Sequence, residues 1–171
     1  MAISLSDIRG LGDFATTDNW QLEFLTIPSG VSANSNGINF RCVSTNIPKK
    51  TSEPVSVSIR GLPAVKQPGL YLPDGTLTLS IVETVDNFMA KAILDWREIC
   101  YKSGTGEGKP KKDVEATIKL VRLDRTLKPI WQYTLIGAFM VNGEFDELSE
   151  SREALKGSIE LSYDDFTESP V

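Results

Sequence analysis

Apolar and polar residues alternate with period two along most of this chain, and that pattern predicts strands. Trp20, Leu22 and Phe24 share one face of a first run. A Pro/Gly/Ser/Asn-rich loop over Pro28–Gly37 follows, and Ile38, Phe40 and Cys42 then fall on one face of a second predicted strand. Val55, Val57 and Ile59 alternate with Ser56, Ser58 and Arg60, after which Gly61-Leu62-Pro63, Pro68-Gly69 and Asp74-Gly75 interrupt the pattern. Such punctuation around a short alternating run predicts a protruding hairpin, an extended arm over residues 52–72. Leu77, Leu79 and Ile81 opposite Thr76, Thr78 and Ser80 give the clearest strand, since β-branched Thr suits the wet side of a pleat.

The period changes once. From Asp86 to Lys102, Phe88, Met89, Ala92, Ile93, Trp96, Ile99 and Cys100 recur at spacings of three and four, which predicts a helix over 86–102. Asp86 stands as its N-cap and Gly104 just past its end. Beyond a basic, glycine-rich loop (Ser103–Lys112), alternation returns at Val114, Ala116, Ile118 and Leu120. It continues over Ile130–Val141 and closes at Ile159, Leu161 and Tyr163. Residues 1–18 carry scattered apolar positions (Ile3, Leu5, Ile8, Leu11, Phe14) and read as an N-terminal arm. The expected fold is mostly β: an antiparallel β-sandwich or open barrel with one α-helix and an extended hairpin arm, all in one domain of 171 residues.

Composition narrows the function. The chain carries a net charge of −5 with a sequence pI near 4.8, so its surface as a whole repels polyanions. It contains no histidine, the side chain used most for acid–base work near neutral pH and a common metal ligand. Cys42 and Cys100 lie in apolar-periodic segments without metal-like spacing and are expected as free buried thiols. The start, Met1-Ala2-Ile3-Ser4-Leu5, lacks the features of a signal peptide, and no apolar run approaches the ~20 residues of a membrane span. Synthesis in a cytoplasm is expected.

Candidate chemistry reduces to blander readings. Gly104-x-Gly106-x-Gly108-Lys109 has Ser103 where a phosphate loop needs its first glycine and Pro110 where it needs Ser or Thr. It also follows a helix instead of opening one. Asp146, Glu147, Glu150 and Glu153 lack the rhythm of a calcium loop and read as a solvated acidic face or a subunit contact. Asp164 and Asp165 are adjacent strand residues on opposite faces, unsuited to sharing a proton. Trp20, Trp96 and Trp131 fit the apolar periodicity and are expected in the core. Lys49-Lys50, Arg60 and Lys109–Lys112 are short basic spots, read as salt-bridge partners across subunit contacts. No catalytic residue, metal ligand or cofactor is expected.

The order of these segments resembles the tail tube proteins of T4-like contractile phages. The resemblance runs over most of the chain. It rests on the arm ending Gly12-Asp13-Phe14-Ala15, on Asn19-Trp20-Gln21-Leu22-Glu23-Phe24 and Phe40-Arg41-Cys42-Val43-Ser44-Thr45-Asn46-Ile47-Pro48, and on the extended arm around Val55–Gly69. It continues through Phe88, Leu94, Asp95 and Trp96 of the helix to Gly137-Ala138-Phe139-Met140 and Ile159-Glu160-Leu161-Ser162-Tyr163-Asp164. The family's usual proline after the aromatic at Phe139 is missing, and the Pro28–Gly37 loop is lengthened.

The resemblance implies a non-enzymatic virion subunit that assembles with itself into stacked hexameric rings. DNA would pass through the lumen without specific binding. Implied partners are a tail sheath protein, a baseplate or tube-initiator protein and a tail terminator. The implied interface comprises Leu5, Ile8, Leu11 and Phe14 of the N-terminal arm and Val55, Val57, Ile59, Leu62 and Val65 of the extended arm, docked on a neighbouring subunit or ring. The same fold would also serve the inner tube of a contractile injection machine, the ring protein of type VI secretion or a tube initiator. From other classes, a small β-sandwich binding module would need a concave aromatic cluster, and an enzyme would need a coherent set of catalytic groups.

Overall fold

The computed structural model describes residues 9–10, 15–61, 63–150 and 152–171. Its spine is one antiparallel sheet path that folds over on itself. Eleven strands occur among the described residues: β1 (Trp20–Thr26), β2 (Cys42–Thr45), β3 (Lys50–Ser52), β4 (Val55–Val57), β5 (Val65–Gln67), β6 (Tyr71–Pro73), β7 (Thr76–Val82), β8 (Ala116–Leu123), β9 (Pro129–Phe145), β10 (Lys156–Ser162) and β11 (Asp165–Pro170). Seven of them form the path β1-β8-β9-β10-β7-β2, with β11 also paired to β9.

The fold-over lies in β9, which is 17 residues long. Its first half pairs with β8 and β11, as in Tyr133 opposite Leu120 and Glu168. Its second half pairs with β10, as in Gly143 opposite Ile159. Gly137 sits at the change of partner with φ of +70°, a left-handed conformation natural to glycine. A Cβ there would come within 2.3 Å of the Asp164 carboxylate. The strand therefore belongs to two layers, and a glycine makes the bend.

The two layers bury their apolar faces against each other. Leu22, Ile118, Leu120 and Leu135 from one layer meet Leu77, Leu79, Ile81 and Leu161 from the other, each 0–2% exposed. The helix predicted over 86–102 is present as α2 (Phe88–Cys100), which lays Met89, Ala92, Ile93, Trp96 and Ile99 on the core. Trp96 packs edge-on against Phe24 and donates its Nε1–H to the Val114 carbonyl at 3.0 Å. Of the three tryptophans expected in the core, Trp96 is buried, while Trp20 and Trp131 are partly buried against it.

Several expectations need correction. Asp86 does not cap α2: Asn87 occupies the N-cap in a left-handed conformation, and the Glu83 carboxylate accepts from Met89 N–H at 3.2 Å and Ala90 N–H. Glu83 precedes the helix by more residues than a capping box allows, so only the folded loop brings it there. The segment expected as a strand through Ile38, Phe40 and Cys42 is instead a helix, α1 (Ser35–Arg41), followed by β2. Asn34 starts it by accepting from Gly37 N–H at 2.7 Å. One helical face then buries Ile38 while Phe40 points to solvent at 81% exposure. Val114, expected on a strand, closes a single helical turn, α3 (Lys111–Val114), before β8 begins. The described residues thus hold three helices, not one. Cys42 and Cys100 are free but only partly buried.

α1 has a structural task. Its Asn39 Oδ1 accepts from Leu22 N–H at 2.9 Å, and its Ser35 Oγ accepts from Phe24 N–H at 2.7 Å. These donors lie on the outer edge of β1, which would otherwise be open to another strand. Side chains of a helix close that edge.

Candidate assembly surface

Between β2 and β7 the chain leaves the sandwich and returns as a hairpin of two short ladders. β3 pairs with β6, as in Ser52 opposite Tyr71, and β4 pairs with β5, as in Val57 opposite Val65. The ladders are separated where Glu53-Pro54 faces Pro68-Gly69-Leu70. The backbones approach so closely there that a Cβ on Gly69 would lie 2.0 Å from the Glu53 carbonyl oxygen. At the tip, Arg60 and Gly61 both have positive φ, as a tight hairpin reversal requires.

Alternation sorts the outer ladder into two faces. Val55, Val57 and Val65 lie on one side, and Ser56 and Lys66 on the other. Among the described residues nothing covers the apolar side: each of them from Glu53 to Pro68 is exposed. Val55 is 55% exposed and Val65 63%. Leu70, Tyr71 and Leu72 extend the exposed apolar surface towards the base, a contribution the sequence reading left out. Their run of three apolar residues after Gly69 was the available signal.

Of the expected interface residues, the structure therefore groups Val55, Val57 and Val65 on one face, with Ile59 exposed near the tip. Leu5, Ile8, Leu11, Phe14 and Leu62 lie outside the described residues.

The arm's base is held firmly. Lys50 pairs with Asp165 at 2.8 Å and sits 4.9 Å from the Phe166 ring centroid. Tyr163 donates its hydroxyl to Asp74, and Asp74 N–H donates to the Lys49 carbonyl at 2.9 Å. The Lys50 ammonium and the Phe166 amide hold the Asp165 carboxyl below the usual carboxylate range. Burial, then the Asp74 carboxylate, pushes the Tyr163 phenol up. Asn46 braces the strand that enters the arm, donating to the Thr76 carbonyl at 3.1 Å and accepting from Thr78 N–H at 2.7 Å.

The basic spots are accordingly not all free for a neighbour, as the sequence reading had them. Lys50 is taken by Asp165, and Lys111 by Asp164 beside the Phe139 ring. Of the adjacent acids expected on one strand, Asp164 lies in the bend before β11 and pairs with Lys111, while Asp165 opens β11 and pairs with Lys50. Asp146, Glu147, Glu150 and Glu153 lie in the exposed connection between β9 and β10. Among the described residues no three potential ligands converge as a metal site would need. Burial pushes the Cys42 thiol up to about 12, which keeps it protonated and unreactive near neutral pH.

Among solved structures the chain is similar to a chain of the six-fold symmetrised anti-feeding prophage baseplate. Identity is 16% and the TM-score 0.68, over 92% of this chain and 97% of that one. It is also similar to a chain of the sheath–tube complex of the extracellular contractile injection system PVC in its extended state. There identity is 12% and the TM-score 0.66, over 99% of this chain and 100% of that one. The SPP1 tail tube protein matches at 12% identity and a TM-score of 0.50, over 92% of this chain and 80% of that one. No family model and no curated protein sequence matches the chain. At these identities the likeness is one of fold, and the fold is that of tail tubes and contractile injection particles.

Proposed function

We propose that this chain is the structural subunit of a tail tube, assembling with copies of itself into rings that stack around a channel. The observation that carries this reading is the arm. A two-stranded hairpin is marginal in water by itself, and this one displays Val55, Val57 and Val65 on one bare face. Such a face gains stability when a neighbour covers it, at ~25 cal/mol per Å² of apolar surface removed from water. The neighbour is a second copy, in the same ring or the next. Rings of six are in keeping with the six-fold symmetry of the anti-feeding prophage assembly.

The rest of the surface suits a channel wall. Thr76, Thr78 and Ser80 on β7 and Ser158, Glu160 and Ser162 on β10 turn away from the core. A polar wall on a chain of net charge −5 lets DNA slide, because each bound phosphate would add affinity and friction. DNA passage in a contractile phage tail is thus one reading of the cargo. The inner tube of a contractile injection particle is the second, favoured by higher TM-scores to the prophage and PVC chains than to the phage tube. Either particle would supply sheath, baseplate and terminator partners.

Negative-stain electron microscopy with sedimentation velocity on the same sample tests the proposal. Rings or hollow tubes are expected, and a chain lacking residues 55–69 should remain a folded monomer. Tubes from the deleted chain would refute the role given to the arm. Nuclease-protected DNA in native particles supports the phage reading, and its absence the injection reading.

A further inference from the structure

The sheet path ends in two edge strands, β1 and β2, and a groove of about 520 Å³ opens between them. Trp20, Leu120 and Arg122 form one wall, and Val43, Thr45 and Ile47 the other. Val43 is 59% exposed and Ile47 47%, so the apolar lining is accessible. Arg122 is the one charged residue of the walls. It is partly buried, and its guanidinium makes no ion pair or hydrogen bond among the described residues. A cation half out of water without a partner is destabilising, and a carboxylate accepting from its fork would offset that cost. Lys49, two residues beyond Ile47, adds an exposed positive charge. The acid nearest to the groove in sequence, Asp18, is engaged by the Thr16 hydroxyl. The groove therefore fits an apolar side chain flanked by acids.

We infer that it receives the acidic connection between β9 and β10 of a second copy, with Leu148 against Trp20 and Ile47 and Glu147 on Arg122. This rests on the tube reading and names one contact within it. From Asp146 to Glu150 the connection carries three carboxylates, one apolar residue and no cation. All five residues are exposed, Leu148 at 88%. The extended arm is the wrong occupant by charge, since Arg60 stands at its tip and Lys66 on its polar face.

The connection cannot seat in its own groove. It leaves the sandwich at the Val82 end of β7, where Lys156 pairs with Val82 and Asp146 N–H donates to the Lys156 carbonyl at 2.9 Å. The seat at Ile47 and Arg122 lies towards the other end, past Asn46, which bonds to Thr76 and Thr78. The length of β7, ~20 Å, separates the two. Leu148 is three residues past β9 and reaches ~10 Å at full extension. Two different surfaces meet, so the contact is head-to-tail and repeats from copy to copy instead of closing as a two-fold dimer.

A charge swap tests it, read by sedimentation velocity over a concentration series. Arg122→Glu should weaken association roughly tenfold or more. Adding Glu147→Arg to that chain should restore most of the loss, which a merely structural role for Arg122 would not do. Should Arg122→Glu fail to fold, Leu148→Asp in the exposed connection decides, with a similar loss expected and the circular dichroism of the monomer unchanged. Association unaltered by Arg122→Glu or by Leu148→Asp, or unrestored by the swap, overturns this contact and leaves the tube reading standing. A native chain that stays monomeric at every concentration overturns both.

Discussion

The sandwich and the arm are built from the same alternating pattern, yet they stand in opposite energetic positions. In the sandwich, Leu79 on β7 faces Ile159 on β10, and both vanish beneath the opposite layer and α2. In the arm, Val57 faces Val65 in an equivalent antiparallel pair, and neither is covered. Period-two patterning states which residues share a face. It does not state whether another face exists to meet it. The core is complete within one chain, whereas the arm's apolar face is left bare.

Breaking the core should give the largest effect. Leu79→Ala or Leu161→Ala removes a fully buried side chain and should cost ~2–5 kcal/mol of stability in denaturant unfolding, whether or not the chain is assembled. The arm should answer in the reverse sense. Val57→Ser with Val65→Ser should leave monomer stability within ~0.5 kcal/mol yet abolish rings and tubes in the microscope. An arm change that unfolds the monomer would erase the contrast.

Two substitutions sharpen the comparison at intermediate size. Glu83→Ala removes the carboxylate that satisfies the first amides of α2 and should cost ~1 kcal/mol, on the scale of a lost N-cap, by thermal unfolding. Gly69→Ala drives a Cβ into the Glu53 carbonyl and should part the two ladders of the arm, with assembly lost and the core's unfolding midpoint unchanged.

The smallest effect is expected from pH at the arm's base. Because Lys50 and the Phe166 amide lower the Asp165 pKa in the folded chain, the pairing contributes above the unfolded pKa of ~3.9 and is lost as pH falls through the lower folded value. Asp165 is exposed, so the loss should appear as local loosening of Lys50 and Phe166 resonances in NMR below pH 4, not as global unfolding. A pH-independent base would show that Tyr163 and Asp74 hold it alone.

The sequence alone determined the strand pattern of β1, β7, β8 and β10, the amphipathic helix at Phe88–Cys100 and the presence of a hairpin between Val55 and Gly69. Each follows from side-chain period and from Gly and Pro at reversals, which act within a few residues. It also contained the residues of the candidate surface, since Val55, Val57 and Val65 alternate with polar neighbours. It misassigned Ile38–Cys42 because three alternating apolar positions fit a short strand as well as a helix, and the Asn34 cap was the tie-breaker. Only the tertiary structure decided that β9 serves two layers, that Asp165–Pro170 forms a further strand and that Glu83 caps α2. It alone decided, too, that the arm's valines are bare. Those facts depend on which segments meet across the chain, and local period carries no record of the partner.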